Sequence, residues 1–349
     1  MKKSVFILCF LLLVFTLSAQ EVSTDTLFKG DYQDAEKVYN EGVKFFEHKK
    51  YNEAIKKFSE AINLKPDFEK AYFNRGAVNM EQNKFQEAIG DFSKSIELAP
   101  TANGYFSRGK CRFELKDHDN AMTDFTQAVA LDANHAQSYY YRGEIFFEKN
   151  EYEKAISDFD AAIKNKPDYA YAYNDRGSAK VKLDKFEEAK ADYIIAAQIN
   201  PNMPFTYNNL GSAKKKLKDY TGAIADYSTA IQKKPDYFIA YNNRGTAHFE
   251  LEEYEDAIRD FDQAIKLNPT YYYAYNNRGN AKYKLQDYEG AIADYTKAIE
   301  LNPSYGYAFL NRGIAYEMLR KPQNSCKDWK KAALLGITTA ASYSNLQCK

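Results

Sequence analysis

Nine glycines recur along this chain, Gly42, Gly76, Gly109, Gly143, Gly177, Gly211, Gly245, Gly279 and Gly313, spaced 34 residues apart at every step but one, which is 33. A fixed period of that length marks one supersecondary unit copied along the sequence. The chain must therefore fold as stacked copies, each sheltering its neighbour, and not as a globule around one catalytic cleft. Binding then has to come from an extended surface.

Twelve positions after each glycine stands a small residue, as Ala54, Ala257 and Ser325, and four further on a ring: Phe58, Phe92, Phe125, Phe159, Tyr193, Tyr227, Phe261, Tyr295 and Trp329. Such spacings place Ala257, Ile258, Phe261, Ala264 and Ile265 on one stripe of a helix, helix B. Four residues before most glycines lies another aromatic, Tyr72 through Phe309, on the same face of an earlier helix A. Proline closes most units, at 66, 100, 167, 201, 235, 269 and 303, where a ring nitrogen cannot donate a backbone hydrogen bond. The unit is an antiparallel helical hairpin. Glycine inside a helix costs about 1 kcal/mol against alanine, so nine in register need a reason, which is the close approach of the ring from the paired helix.

This pattern resembles the tetratricopeptide repeat, and residues 272–305 read like a consensus unit. The resemblance implies an all-α, right-handed superhelical solenoid of nine helix-turn-helix repeats over residues 35–337, starting near 35, 69, 102, 136, 170, 204, 238, 272 and 306. Helix A of every repeat would line a concave groove that holds a peptide or a partner helix. The end repeats depart from the pattern. Val38 and Glu41 replace the ring and the usual arginine in the first, and Pro322 and Ile337 are atypical in the ninth. Residues 338–349 are expected to form a C-terminal capping helix.

Met1, Lys2 and Lys3 precede an apolar run from Val5 to Leu17 and then Ser18, Ala19 and Gln20, the layout of a secretory signal over residues 1–20 cut near Ala19. Retention as an anchor is the alternative. The run is short for a span of roughly 20 residues, and the mature chain is expected to carry no integral membrane span. Leu8 before Cys9 does not suit a lipid attachment site. Residues 21–34 lack periodicity and are expected to form a flexible lead-in. Of the three remaining cysteines, Cys111 falls on a small buried position of helix A and reads as an inert core thiol. Cys326 sits on helix B and Cys348 ends the terminal helix that folds back beside it, so the two are expected to form a disulfide in an oxidising compartment, with two separate thiols as the alternative.

Equal counts of 48 basic and 48 acidic residues speak against a nucleic-acid footprint. No phosphate loop, His-Glu-x-x-His, Gly-x-Ser-x-Gly or Cys-x-x-Cys occurs. His48, His118, His135 and His248 fall at different repeat positions, and Asp117 to Asn120 begins like a calcium loop but lacks its glycine and terminal glutamate. We expect no enzyme, no cofactor and no metal.

Asn174, Asn208, Asn242 and Asn276 follow the helix A aromatic, and Asp175, Asn209, Asn243 and Asn277 come next. The family resemblance sets these on the groove wall together with Asn280, where amides that both donate and accept suit a peptide backbone. Tyr171, Phe205, Ile239, Tyr273 and Tyr307, three residues earlier, would give apolar footing, so Tyr171 and Tyr273 join the partner-binding set. The competing reading has the asparagines brace neighbouring helices. The arginines before the glycines (Arg75, Arg108, Arg142, Arg176, Arg244, Arg278, Arg312) are expected to pair with carboxylates. Relatives that bind a partner's C-terminal carboxylate use a Lys and an Asn where this chain has Tyr39 and Val43, so that specificity is not expected. In the fifth hairpin Lys190, Ile194 and Ile195 break the pattern. Either helix B is rotated and reburies its isoleucines, or Ile194 and Ile195 form a convex apolar patch for self-association or a second partner. These readings together describe an exported adaptor, periplasmic or secreted and associated with the cell envelope, that holds a peptide or protein partner and assists assembly of an extracytoplasmic complex. The alternative ligand is a glycan or cell-wall fragment on the tyrosine-rich face.

Overall fold

The structure, a computed structural model, describes residues 24–348. Among these, helices pair into nine hairpins: α1 (Thr24–Glu47) with α2 (Tyr51–Leu64), α3 (Glu69–Glu81) with α4 (Phe85–Leu98), α5 (Ala102–Glu114) with α6 (His118–Leu131), α7 (Ala136–Glu148) with α8 (Tyr152–Asn165), α9 (Ala170–Lys182) with α10 (Phe186–Ile199), α11 (Pro204–Lys216) with α12 (Tyr220–Lys233), α13 (Phe238–Glu250) with α14 (Tyr254–Leu267), α15 (Tyr272–Lys284) with α16 (Tyr288–Leu301), and α17 (Gly306–Met318) with α18 (Pro322–Leu334). A last helix, α19 (Thr338–Gln347), follows. The chain divides into two compact units, Met1–Leu131 with the first three hairpins and Asp132–Lys349 with the other six and α19. The expected signal at 1–20 lies outside the described residues. The lead-in expected at 21–34 differs in part, since α1 already begins at Thr24 and runs unbroken into helix A. No proline falls between 24 and 47 to interrupt its backbone ladder.

The reason for the glycine register is visible at each hairpin. The helix B ring is buried against bare helix A backbone, with Phe58, Phe92, Phe125, Phe159, Tyr227 and Phe261 fully inaccessible. A Cβ placed on Gly279 would stand 2.7 Å from Cε1 of Tyr295, and one on Gly313 would stand 2.5 Å from Nε1 of Trp329. Carbon contacts are comfortable only near about 3.5–4.0 Å, so any side chain here would drive the helices apart.

Helix A ends in a left-handed residue in every hairpin, Lys49, Asn83, Lys116, Asn150, Asp184, Lys218, Glu252, Gln286 and Arg320, with φ from 54° to 65°. The following N–H returns to the carbonyl five residues back, as Lys50 to Phe45 at 2.8 Å and Glu253 to His248 at 3.0 Å, which satisfies a carbonyl the helix end would orphan. Helix B ends before its proline, on residues such as Lys65 (φ −137°) and Asn302 (φ −141°), because the proline ring pushes its predecessor out of the helical region.

Within each unit, helix B packs on its own helix A and on the next one, while successive helices A also touch each other. The closer approach of the A helices puts them on the inner side of the stack. In the second unit α19 covers the last hairpin. Ala340 is fully buried there beside Phe309, Leu310 and Trp329, with Tyr343 and Cys348 packed against them.

An ionic seam ties helix A to helix B. Arg75, Arg108, Arg142, Arg176, Arg244, Arg278 and Arg312 each grip the aspartate sixteen residues on, as Arg278 does Asp294 through Nε at 2.9 Å and Nη2 at 2.5 Å. Each guanidinium also lies over the ring three residues earlier, from 5.2 to 5.6 Å away. The outer nitrogen reaches back sixteen residues to the previous helix B, Arg75 to Ser59, Arg244 to Ser228 and Arg312 to Thr296. As expected, the arginines serve the array itself. In the first hairpin the charges are exchanged, with Glu41 paired to Lys57 at 2.9 Å.

The sixth hairpin breaks the seam. Leu210 replaces the arginine, and sixteen residues before it stands Ile194 in place of the hydroxyl or carboxylate acceptor. Asp226 is left with Lys214, whose ammonium is 2.7 Å from Oδ2 but poorly aligned for a hydrogen bond, and burial pushes its carboxyl above the ordinary range. A carboxyl raised in this way holds its proton more tightly in the folded chain. It costs stability as pH climbs from the unfolded carboxylate value through the raised one. Rebuilding the seam with Ile194→Ser and Leu210→Arg is expected to flatten that loss. Unfolding midpoints followed across mildly acidic pH give the check, and parallel curves for the two proteins would refute the assignment.

Candidate partner-binding face

The α1–α3 joint of the first unit and every joint between consecutive helices A of the second is closed by a rung between residues 35 apart. In the first unit Asn74 donates to the Tyr39 hydroxyl at 2.7 Å. In the second, the Tyr140 hydroxyl donates to Asp175 (2.7 Å), Asn209 to Asn174 (3.3 Å), Asn243 to Asn208 (2.9 Å), Asn277 to Asn242 (3.0 Å) and Asn311 to Asn276 (3.0 Å). Thr206 adds a hydroxyl bond to Asn174 at 3.1 Å.

These bonds correct the groove-wall assignment of the first asparagine row. Asn174, Asn208, Asn242 and Asn276 are between 3 and 7 % exposed, so their side chains brace the stack and do not face a ligand. A buried amide must find partners, and the next helix A supplies them. The second row, Asn209, Asn243 and Asn277, is half-buried and donates into those rungs. Asn280 accepts from the Tyr295 hydroxyl at 2.9 Å and from Asn311 at 3.1 Å. Its task repeats that of Ser178 and Ser212, which meet the hydroxyls of Tyr193 and Tyr227. Where helix B carries Tyr in place of Phe, helix A answers with a polar residue just after the glycine.

One turn before each rung, on the same face of helix A, lies an open row. Tyr171, Ile239, Tyr273 and Tyr307 are 47, 36, 41 and 55 % exposed, and Phe205 is half-buried with its ring 6.1 Å from Tyr171. Around hairpins seven to nine the aromatic surface is dense. Tyr272 and Tyr273 have centroids 4.2 Å apart, Tyr305 lies 5.3 Å from Tyr273, and Tyr307 lies 6.0 Å from Tyr305. Tyr171 and Tyr273 are accessible on the helix A side.

Ile194 and Ile195 lie on α10, whose Ala189, Asp192, Tyr193 and Ala196 are buried in the same register as their counterparts on α14, so the helix is not rotated. Ile194 is 38 % exposed and Ile195 half-buried. Lys190 reaches out to Glu187 at 2.5 Å. Cys326 on α18 and Cys348 at the end of α19 lie within pairing distance, their Cα atoms 5.4 Å apart. Cys111 is buried, and desolvation pushes its thiol up to about 12, where it stays protonated.

Among the described residues no group of His, Cys, Asp and Glu is placed to hold a metal ion. Asp117 binds the side-chain amide of Asn120 at 2.9 and 3.0 Å, a local contact at the start of α6. No helix among the described residues is long and apolar enough to cross a membrane.

The geometry agrees with what similar proteins look like. The tetratricopeptide repeat model matches residues 69–101, 238–271 and 272–305, and a second model so described matches 102–135 and 170–203. A model described as TPR repeat matches 42–83, 143–184 and 214–252. Among solved structures, the APC/C hetero-tetramer Cut9-Hcn1 superposes with a TM-score of 0.58 at 13 % identity, over 90 % of this chain and 76 % of that one. The C-terminal part of a TPR repeat-containing protein from Cytophaga hutchinsonii gives 0.55 at 20 % identity, over 68 % and 98 %. PilF of Pseudomonas aeruginosa gives 0.52 at 18 %, over 58 % and 92 %. At these identities the likeness concerns the fold alone. No curated protein matches the chain.

Proposed function

We propose that this chain, which belongs to the tetratricopeptide-repeat family, is an exported adaptor that holds a segment of a partner protein along the helix A face of its second unit and so assists assembly of an extracytoplasmic complex. The observation that carries this reading is the open apolar row Tyr171, Phe205, Ile239, Tyr273 and Tyr307. Its members recur once per hairpin, and the buried rungs beside them fix their spacing. Large, stiff aromatic rings give contact area at small entropic cost, which is how few residues come to dominate an interface.

Export rests on the leader-like residues 1–20 and on the Cys326 and Cys348 pair, which would persist as a disulfide only in an oxidising compartment. Once closed, the bond would tie the capping helix over the buried Trp329 and keep the last hairpin from fraying.

The test is photocrosslinking in the extracytoplasmic fraction, with the reactive group at Tyr273 or Tyr307 and a control at Gln232, which is exposed on helix B. The same captured chain is expected from both tyrosine positions and not from Gln232. With the reactive group at Ile239 instead, changing Tyr171, Tyr273 and Tyr307 together to Ser should reduce capture about tenfold or more without altering helical content, as for loss of interface anchors. Capture that survives the triple change places the partner elsewhere.

A further inference from the structure

One rung differs from all the others. Between α7 and α9 the pair is Tyr140 and Asp175, and Glu144 stands just after the glycine where Ser178, Ser212 and Asn280 stand in other hairpins. The Tyr140 hydroxyl donates to Asp175 Oδ2 at 2.7 Å, Asn174 Nδ2 donates to Oδ1 at 2.9 Å, and the Glu144 carboxyl stands beside both Tyr140 and Asp175. An asparagine at 175 would brace this joint as its counterparts brace the neighbouring ones. Two carboxylates brought together under a layer of rings carry a desolvation cost that bracing does not explain.

The rings enclose a hollow. A cavity of about 630 Å³ opens beside the pair, with Tyr140, Tyr141, Glu144, Tyr169 and Tyr171 in its wall. Tyr140 and Tyr169 have centroids 4.8 Å apart, and Tyr140 and Tyr141 5.3 Å. Lys166 also reaches this wall, but its ammonium lies over the Tyr169 ring, 5.0 Å from the centroid. A carboxylate beside tilted phenol rings can share a cation with them, since the face of a phenol ring is itself electron-rich. Burial holds both carboxyls above their usual range, and the neighbouring Asp175 charge adds to the rise at Glu144, to about 8. A cation entering the hollow would offset that desolvation.

We propose that this cavity is a subsite for one basic side chain, arginine or lysine, of the bound segment, with its charge set against Glu144, the wall carboxylate that neighbours Asp175, and against the surrounding tyrosine rings. The proposal rests on the reading of the helix A face as the partner-binding surface, because Tyr171 belongs both to the cavity wall and to the open aromatic row. The Glu144 carboxylate acts by charge-assisted hydrogen bonds and the rings by cation–π attraction, so the subsite selects for charge and flat apolar stem together.

The probe is a set of short capped peptides, alike except for arginine, lysine or neutral citrulline at the centre, titrated calorimetrically against the protein. The basic peptides are expected to bind about tenfold tighter than the citrulline peptide, as one charge-assisted bond implies. Glu144→Gln with Asp175→Asn should erase that preference while leaving citrulline binding as it was. This variant installs the rung amide of the other hairpins, and an unchanged circular dichroism melt would certify its fold. Equal affinity for all three peptides overturns the subsite and leaves the groove reading standing. If the basic peptides do not bind at all, the subsite falls too, and the groove reading is then judged by crosslinking at Tyr273 alone.

Discussion

Phe261→Ala is expected to cost about 3–5 kcal/mol, the range for emptying a buried aromatic site. The ring is wholly inaccessible, lies against the bare backbone of Gly245 and packs with Ala257 and Ala281, while Phe249, Tyr254 and Ile258 close around it. Helices held at that distance by a glycine and two alanines have little room to collapse into the void. Neighbouring hairpins contribute separately to the stability of such an array, so the damage should concentrate where α14 meets α13 and α15. Hydrogen exchange resolved along the sequence is the fitting measurement. Amides of residues 238–305 should lose protection first, with those of the seventh hairpin most affected. A loss below about 1 kcal/mol, of the size typical for a surface substitution, would show that the ring is not the keystone of its hairpin.

The second large effect concerns charge. Asp294, about 5 % exposed, receives Arg278 through two nitrogens and the Lys282 ammonium at 2.8 Å. Asp294→Ala takes from Arg278 and Lys282 their shared buried counter-charge, leaving Arg278 only the half-exposed Asp262 at 2.6 Å, and is expected to cost about 3–5 kcal/mol, as for breaking a buried pair from one side. Arg278→Met should cost less, because Asp294 keeps Lys282 and the new side chain can lie along the Tyr275 ring that the guanidinium now covers. The order of the two variants in urea unfolding is the decisive quantity. Equal losses would mean that arginine packing, and not the stranded charge, sets the stability of the seam.

Much of this was legible beforehand because the relevant residues repeat. The glycine and ring register, the arginine to carboxylate pairing and the cysteine pair near the C-terminus each follow from a residue type recurring at a fixed offset, or from two residues on helices that must fold together. The left-handed turns escaped because their usual sign is missing. Lys49, Asp184, Glu252 and Arg320 occupy a backbone region where glycine would be the signal. The asparagine row was misplaced for a different reason. Helical periodicity gives the face of Asn208 but not the distance to the next helix A, and that distance decides whether the amide meets Asn243 or a ligand. Ile194 looked like a loose hydrophobe until the sixteen-residue offset of the seam linked it to Leu210. The Glu144 and Asp175 pair could have been found by asking which hairpin places acids where its siblings place amides and hydroxyls.

Because rungs and seam join residues at constant offsets, the seventh and eighth hairpins present interchangeable connectors. Loss of residues 238–271 in one recombination event would bring Asn277 to Asn208 and Arg278 to Ser228, with every donor still meeting an acceptor. Removal of the sixth hairpin would instead bring Arg244 against Ile194. Lineages of this chain should therefore vary in length on the far side of Leu210, while the fifth and sixth hairpins are inherited as one block.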